Sequence, residues 1–263
     1  MLFNTSEGDL GDIIRSADRM RPEIAKTYAR QMLEGVAYIH SKNILHRDLK
    51  PSNMLIDKSG QLKIGDFGQG KKICGNNLLK FRSFLKHAFT KMSRPCRIKS
   101  RLVGIARLSC STELIATISG LLNPKNSLES TPIRVDLWAV GCIIGELFLF
   151  SALFPGQSDI EQLYLVVQTL GTPTDETWPG RKSLPDYAKI VFHETKGKDL
   201  AEILALAPDF TADLVKSFLV YDSSQRLTAA QSLSHDFFKG KKTSGSRIKL
   251  SNRGFTLTSS QIF

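Results

Sequence analysis

No acidic residue occurs between Gln69 and Thr112, although eleven lysines and arginines do. That one segment holds the whole excess behind the formal charge of +11, and leaves 25 basic and 25 acidic residues elsewhere. A charge confined to one stretch is weak ground for a nucleic-acid surface, so no nucleic-acid partner is expected. Cysteine is also scarce. Cys74, Cys96, Cys110 and Cys142 are the full set, and no two stand in C-x-x-C spacing. A thiolate zinc site and a disulfide framework are thereby excluded, and a reducing compartment, cytoplasm or nucleus, is expected. The first residues, MLFNTSEGDLGD, lack the basic and apolar regions of a secretory leader. No apolar run is long enough for a membrane span. Residues 137–154, LWAVGCIIGELFLFSALF, come nearest, but Glu146 interrupts them and Pro155-Gly156 closes them. A buried core helix is expected there, and no integral membrane segment. Internal repeats are absent.

What remains is a chain of 263 residues, 41% hydrophobic, able to bury a full core. Pro22 opens a stretch in which Ala25, Tyr28, Ala29, Met32, Val36 and Ile39 recur at steps of three and four, predicting a five-turn helix with one buried face. Ser158 and Glu161 have capping-box spacing ahead of another helical stripe, and Thr211 and Thr228 are expected to cap two short helices. Residues 239–263 are polar, basic and weakly patterned, which predicts a disordered tail.

The chemistry concentrates in residues 44–72, ILHRDLKPSNMLIDKSGQLKIGDFGQGKK. Met54-Leu55-Ile56 and Leu62-Lys63-Ile64 flank the turn composition Asp57-Lys58-Ser59-Gly60, predicting a hairpin. Pairing Ile56 with Gln61 sets Asn53 opposite Ile64, two residues short of Asp66, so their side chains leave one end of the hairpin about 7 Å apart. A carboxylate and an amide oxygen at that separation can share a hard cation. Asp48 and Lys50 arrive from the preceding loop, one an acceptor for a hydroxyl proton, the other a point charge for a phosphate.

His46-Arg47-Asp48-Leu49-Lys50 through Asn53, with Asp66-Phe67-Gly68, resembles the catalytic loop and metal-binding triplet of the protein kinases. Lys50-Pro51 resembles the serine/threonine subclass. Val135-Asp136-Leu137-Trp138, Leu153-Phe154-Pro155-Gly156, Leu170-Gly171-Thr172-Pro173 and Trp178-Pro179 look like the cyclin-dependent and mitogen-activated kinase group. The resemblance covers residues 1–68 and 130–238.

It implies a protein kinase-like fold: a mainly α-helical C-terminal lobe with a short β-hairpin, the small β-rich N-terminal lobe being absent. Residues 1–68 would carry the hinge stub, first helices and catalytic loop, and 132–238 the remaining helices. It implies ATP and Mg2+ as cofactors, with Asp48 and Lys50 catalytic and Asn53 and Asp66 as metal ligands. Leu55 would lie under adenine, Asp9 by the ribose and Phe3 in the hinge. Protein substrates are implied too, as is a cyclin or cyclin-like activator, which in this family seats largely on the small lobe. Asp136 would cap amides of the catalytic loop, and His46 is expected to be structural.

Two departures from the family pattern stand out. No glycine-rich phosphate loop, strand lysine or helical glutamate precedes the hinge stub, so a truncated, catalytically inactive binding module is the alternative to an active kinase. Residues 69–131 match no activation segment, with only a faint echo of its closing triplet at Ser111-Thr112-Glu113. Three readings stay open for them: a solvated basic loop, sequence foreign to the family, or a basic amphipathic helix formed by Leu78, Phe81, Phe84, Leu85 and Phe89 with Lys80, Arg82 and Lys86. Without that triplet Arg226 would lack its usual carboxylate.

Overall fold

The computed structural model describes residues 8–16, 20–74, 77–80, 132–183, 187 and 190–239. Phe3, Glu113, the remainder of the basic segment beyond Lys80 and the tail beyond Lys239 lie outside them.

Two short antiparallel sheets and a set of helices make up the described chain. Strand β1 (Gly8–Asp9) leads straight into α1 (Leu10–Arg15), and α2 (Pro22–Ser41) comes next. Pro22 sits in the first turn of α2, where its missing N–H costs no hydrogen bond. All six expected stripe residues are buried, and Leu33 with them. The larger aliphatic ones, Met32, Leu33, Val36 and Ile39, each contribute about 1.5–3 kcal/mol of hydrophobic stabilisation.

Strand β2 (Ile44–Leu45) precedes the catalytic loop, and β3 (Met54–Ile56) and β4 (Leu62–Ile64) form the predicted hairpin. One sheet has the order β1-β3-β4. The other has the order β2-β5-β6, where β5 (Lys71–Cys74) and β6 (Asn77–Lys80) extend the chain beyond the hairpin. The start of the basic segment is therefore paired strand. Leu78 and Lys80 belong to β6 rather than to an amphipathic helix.

The hairpin register differs from the expected one by a single residue. Ile56 pairs with Leu62, not Gln61. The Asp57 carboxylate accepts from Ser59 N, Ser59 Oγ and Gln61 N, Gly60 N donates to Asp57 O, and Gly60 has φ +75°. A tight turn closed by a left-handed glycine absorbs one extra residue as a bulge before the ladder begins.

Helix α3 (Val135–Leu149) is buried at every position from Asp136 to Leu147. An apolar surface all round the helix axis demands that burial, and α3 is the central core helix expected from the sequence. Around it stand α4 (Asp159–Leu170), α5 (Leu200–Ile203), α6 (Thr211–Phe218), α7 (Ala229–Ser232) and α8 (Asp236–Lys239). Trp138, Phe154, Phe218 and Phe237 are the largest fully buried side chains of the core. Among the described residues no helix is long and apolar enough to cross a membrane.

Two caps match expectation and one does not. Ser158 accepts from Glu161 N, and Thr228 forms a full capping box with Gln231. Glu161 reaches back to Gln157 N instead of the cap residue's own amide. Thr211 caps nothing. It is the first residue of α6, behind Phe210 at φ +64°, and its hydroxyl donates to Pro208 O.

Candidate active site

A buried carboxylate organises the loop between β2 and β3. Asp136, 2% exposed in the first turn of α3, accepts three hydrogen bonds. Its Oδ1 takes Arg47 N at 2.8 Å, and its Oδ2 takes His46 N and His40 Nε2, each at 2.9 Å. An unpaired carboxylate at this depth would be very costly, and three donors offset that cost. They also hold the turn in which Arg47 sits at φ +70°, a backbone region disfavoured for arginine. Asp136 thus caps the loop, as its place in the sequence suggests. The part of His40 is not legible there, because nothing in its local pattern points to a partner 96 positions away.

His46 joins the two halves of the corner. Its Nδ1 accepts from Asp48 N at 3.2 Å, which leaves the ring proton on Nε2 to donate to Gly65 O at 2.8 Å. The fully buried ring packs against Phe67 with centroids 4.6 Å apart. It is a structural histidine, as expected.

Three of the four expected chemical groups meet directly. Lys50 Nζ lies 3.0 Å from Asp48 Oδ2, and Asn53 Nδ2 donates to the same oxygen at 3.1 Å. Asn53 Nδ2 also donates to Asp48 O at 2.7 Å, which fixes the amide with its nitrogen toward Asp48 and frees its oxygen for another ligand. The fourth group, Asp66, enters from the hairpin. Gly65 N donates to Asn53 O at 2.8 Å, so Asn53 stands opposite Gly65 and one residue short of Asp66. The bulge therefore halves the expected offset along the strands to about 3.4 Å. Gly65 has a steric duty, since a Cβ there would meet Leu55 Cδ1 at 2.8 Å. Asp66 adopts φ 48°, ψ 72°, accepts from Gly68 N through Oδ1 and is exposed to solvent.

Leu55 and Asp9 lie side by side, paired across β1 and β3. Asp9 is first of all a helix cap. Its Oδ1 accepts from Asp12 N at 2.9 Å in a capping box that starts α1, while its Oδ2 takes no hydrogen bond from the described residues.

The chemistry of the donor set suits magnesium. Asn53 Oδ1 and one Asp66 oxygen accept no hydrogen bond from described residues, both are hard oxygens, and both leave the same end of the hairpin. Magnesium in phosphate sites takes one or two protein ligands of this kind and fills its shell from phosphates and water. The residues fit.

Arg226, beyond the corner, is buried without a carboxylate partner among the described residues. Its Nε donates to Val220 O at 2.9 Å and its Nη1 to Arg134 O at 3.0 Å. The guanidinium faces the Trp138 ring at 5.0 Å from the centroid. Burial pushes its pKa below the usual arginine range, though the Cys142 thiol and the Asp222 carboxylate act in the other direction.

Comparison with known proteins identifies the family. The protein kinase domain family matches residues 1–88 and 121–238, reaching further at both inner edges than the motifs alone. Cyclin-dependent kinase 20 of Rattus norvegicus is 38% identical over 239 residues, 90% of this chain and 61% of that protein. The Homo sapiens protein of the same name is 37% identical over the same span. Cyclin-dependent kinase 7 of Xenopus laevis is 35% identical over 244 residues, covering 92% of this chain and 60% of its own length. The chain thus spans about three-fifths of the curated relatives it matches.

Proposed function

This chain belongs to the protein kinase family, in its cyclin-dependent-kinase-like branch, and from that premise we propose that it transfers the terminal phosphoryl group of Mg-ATP to serine or threonine hydroxyls of protein substrates. The single observation that carries the proposal is the meeting of Lys50 Nζ and Asn53 Nδ2 on one oxygen of Asp48. Such a cluster has little use in a purely structural loop.

In this reading the substrate hydroxyl attacks the terminal phosphorus, the bond to the bridging oxygen breaks, and ADP departs. Asp48 orients the hydroxyl and receives its proton. Lys50 sets its cation beside the transferring phosphoryl oxygens, where charge must be neutralised. Magnesium, when bound, supplies further charge neutralisation, held by Asn53 Oδ1 and Asp66. Leu55 provides an apolar surface under the adenine. Asp9, its Oδ1 committed to the helix cap, offers Oδ2 to a ribose hydroxyl. Phe3 is proposed for the hinge on its place in the sequence alone.

Work in the cytoplasm or nucleus is supported by the cysteine usage, and a cyclin-like activator by the names of the relatives. The test is phosphate incorporation into myelin basic protein from labelled ATP, with and without magnesium. The whole chain is expected to transfer phosphate, and Asp48→Asn to lose a factor of about 10² to 10⁴. Asp66→Asn should abolish the magnesium-dependent shift in melting temperature with ATP. No incorporation, or equal incorporation by Asp48→Asn, overturns the proposal in favour of a binding module without turnover.

A further inference from the structure

Leu55 is the middle residue of β3, and it points away from the core that takes Met54 and Ile56 on either side of it. The ladder sets Asp9 and Lys63 opposite Leu55, one on each neighbouring strand. Gly65 is its diagonal neighbour, two residues beyond Lys63. The approach between them is very close. A Cβ on Gly65 would stand 2.8 Å from Leu55 Cδ1 and 3.1 Å from Leu55 Cγ. Carbon atoms in contact rest about 3.5–4.0 Å apart, so the leucine occupies the room that a side chain at position 65 would need.

Backbone conformation does not account for this glycine. Positive φ occurs at Gly60, Gly171, Gly180 and Gly197 but not at Gly65, whose backbone therefore suits an alanine. Nor is the strand free to draw back. Gly65 N donates to Asn53 O at 2.8 Å, and the fully buried His46 donates from Nε2 to Gly65 O, also at 2.8 Å. Behind the strand, Ile64 rests on α2 at Gly35, where a Cβ would lie 2.8 Å from Ile64 Cδ1. Leu55 is the yielding partner, because its side chain is only partly buried. A methyl group on Gly65 drives it outward by about 1 Å, the shortfall between 2.8 Å and an ordinary contact.

We propose that Gly65 is a positioning residue for the nucleobase: it lets Leu55 lie low on the sheet and so sets the level of the floor on which adenine rests. This rests on the reading of Leu55 as that floor, and adds the residue that fixes its height. Asn53 Oδ1 and Asp66 serve the other end of the nucleotide. The effect of a side chain at position 65 therefore passes through Leu55, and shortening Leu55 undoes it.

The test is a double-variant cycle on the whole chain, read as Mg-ATP affinity by titration calorimetry. Gly65→Ala is expected to weaken binding about tenfold, the scale of a packed site overfilled by one methyl group. Leu55→Ala alone should also weaken it, by thinning the floor. In the Gly65→Ala background the same change should instead strengthen binding at least about threefold, because it removes the carbons that were lifted. Without nucleotide, the δ-methyl resonances of Leu55 should shift on Gly65→Ala, while those of Leu62, on the core side of β4, stay in place. Should Gly65→Ala lose its melting transition, the double variant is expected to regain it. An unmodified chain that binds no Mg-ATP overturns the kinase reading and this proposal together. Binding by the unmodified chain with no loss in Gly65→Ala, with a loss that Leu55→Ala deepens, or with unmoved Leu55 methyls overturns the proposal and leaves that reading standing. So does a double variant as unfolded as Gly65→Ala.

Discussion

Two ionised side chains are buried at opposite sides of the first turn of α3, and they are satisfied very differently. Asp136 collects three N–H donors at 2.8–2.9 Å from the catalytic loop and α2. Arg226 finds only neutral carbonyls and the face of Trp138. The first charge is fully answered and joins two segments distant in sequence. The second donates its hydrogen bonds to carbonyls alone, has the Asp222 carboxylate acting on it only from beyond ion-pair distance, and bears a desolvation cost that lowers its pKa. Burial by itself therefore says little about contribution. What matters is whether removing the group strands its partners.

The largest expected effect comes from that contrast. Asp136→Ala leaves His46 N, Arg47 N and the His40 ring N–H without an acceptor, and should cost about 3–5 kcal/mol in urea denaturation. Amide exchange at His46 and Arg47 should accelerate more than elsewhere. A loss below about 1 kcal/mol would break the comparison outright. Arg226→Met comes next. It removes a charge that lacks an ion-paired carboxylate among the described residues and keeps much of the side-chain volume, so its cost should stay under about 2 kcal/mol at neutral pH, below that of Asp136→Ala. A greater loss would mean that the guanidinium joins Val220 and Arg134 as firmly as the carboxylate joins its loop. His40→Ala is the smallest, about 1 kcal/mol, because Asp136 Oδ2 retains His46 N. Comparing phosphate transfer in His40→Ala and Asp136→Ala then separates loop positioning from stability: only the second should lower transfer more than about tenfold.

Much of this arrangement was legible because its causes are local. The stripe on α2, the all-apolar α3 and the caps at Ser158 and Thr228 are written within a few residues of where they act. The four chemical groups of the corner were legible through their spacing, and Asp48, Lys50 and Asn53 do converge. The hairpin register was not. Three-residue strands fix alternation weakly, and the bulge depends on how the Asp57 carboxylate wraps the turn. Thr211 misled because a threonine before an apolar run has a cap's composition without its backbone. Asp9 could be read either as cap or as ligand contact, and its cap is the role its hydrogen bonds display. His40 and Gly65 answer to partners far along the chain, which no local pattern encodes.

The pairing of Leu45 with Lys71 closes the intervening chain into a ring with the catalytic groups inside it. A pull on the polypeptide beyond β6 loads the ladder at the neck of that ring, not the loop or the metal corner within. A lineage can therefore rewrite the polypeptide past Lys80 while the contents of the ring keep their register, because the neck bears the strain of the change.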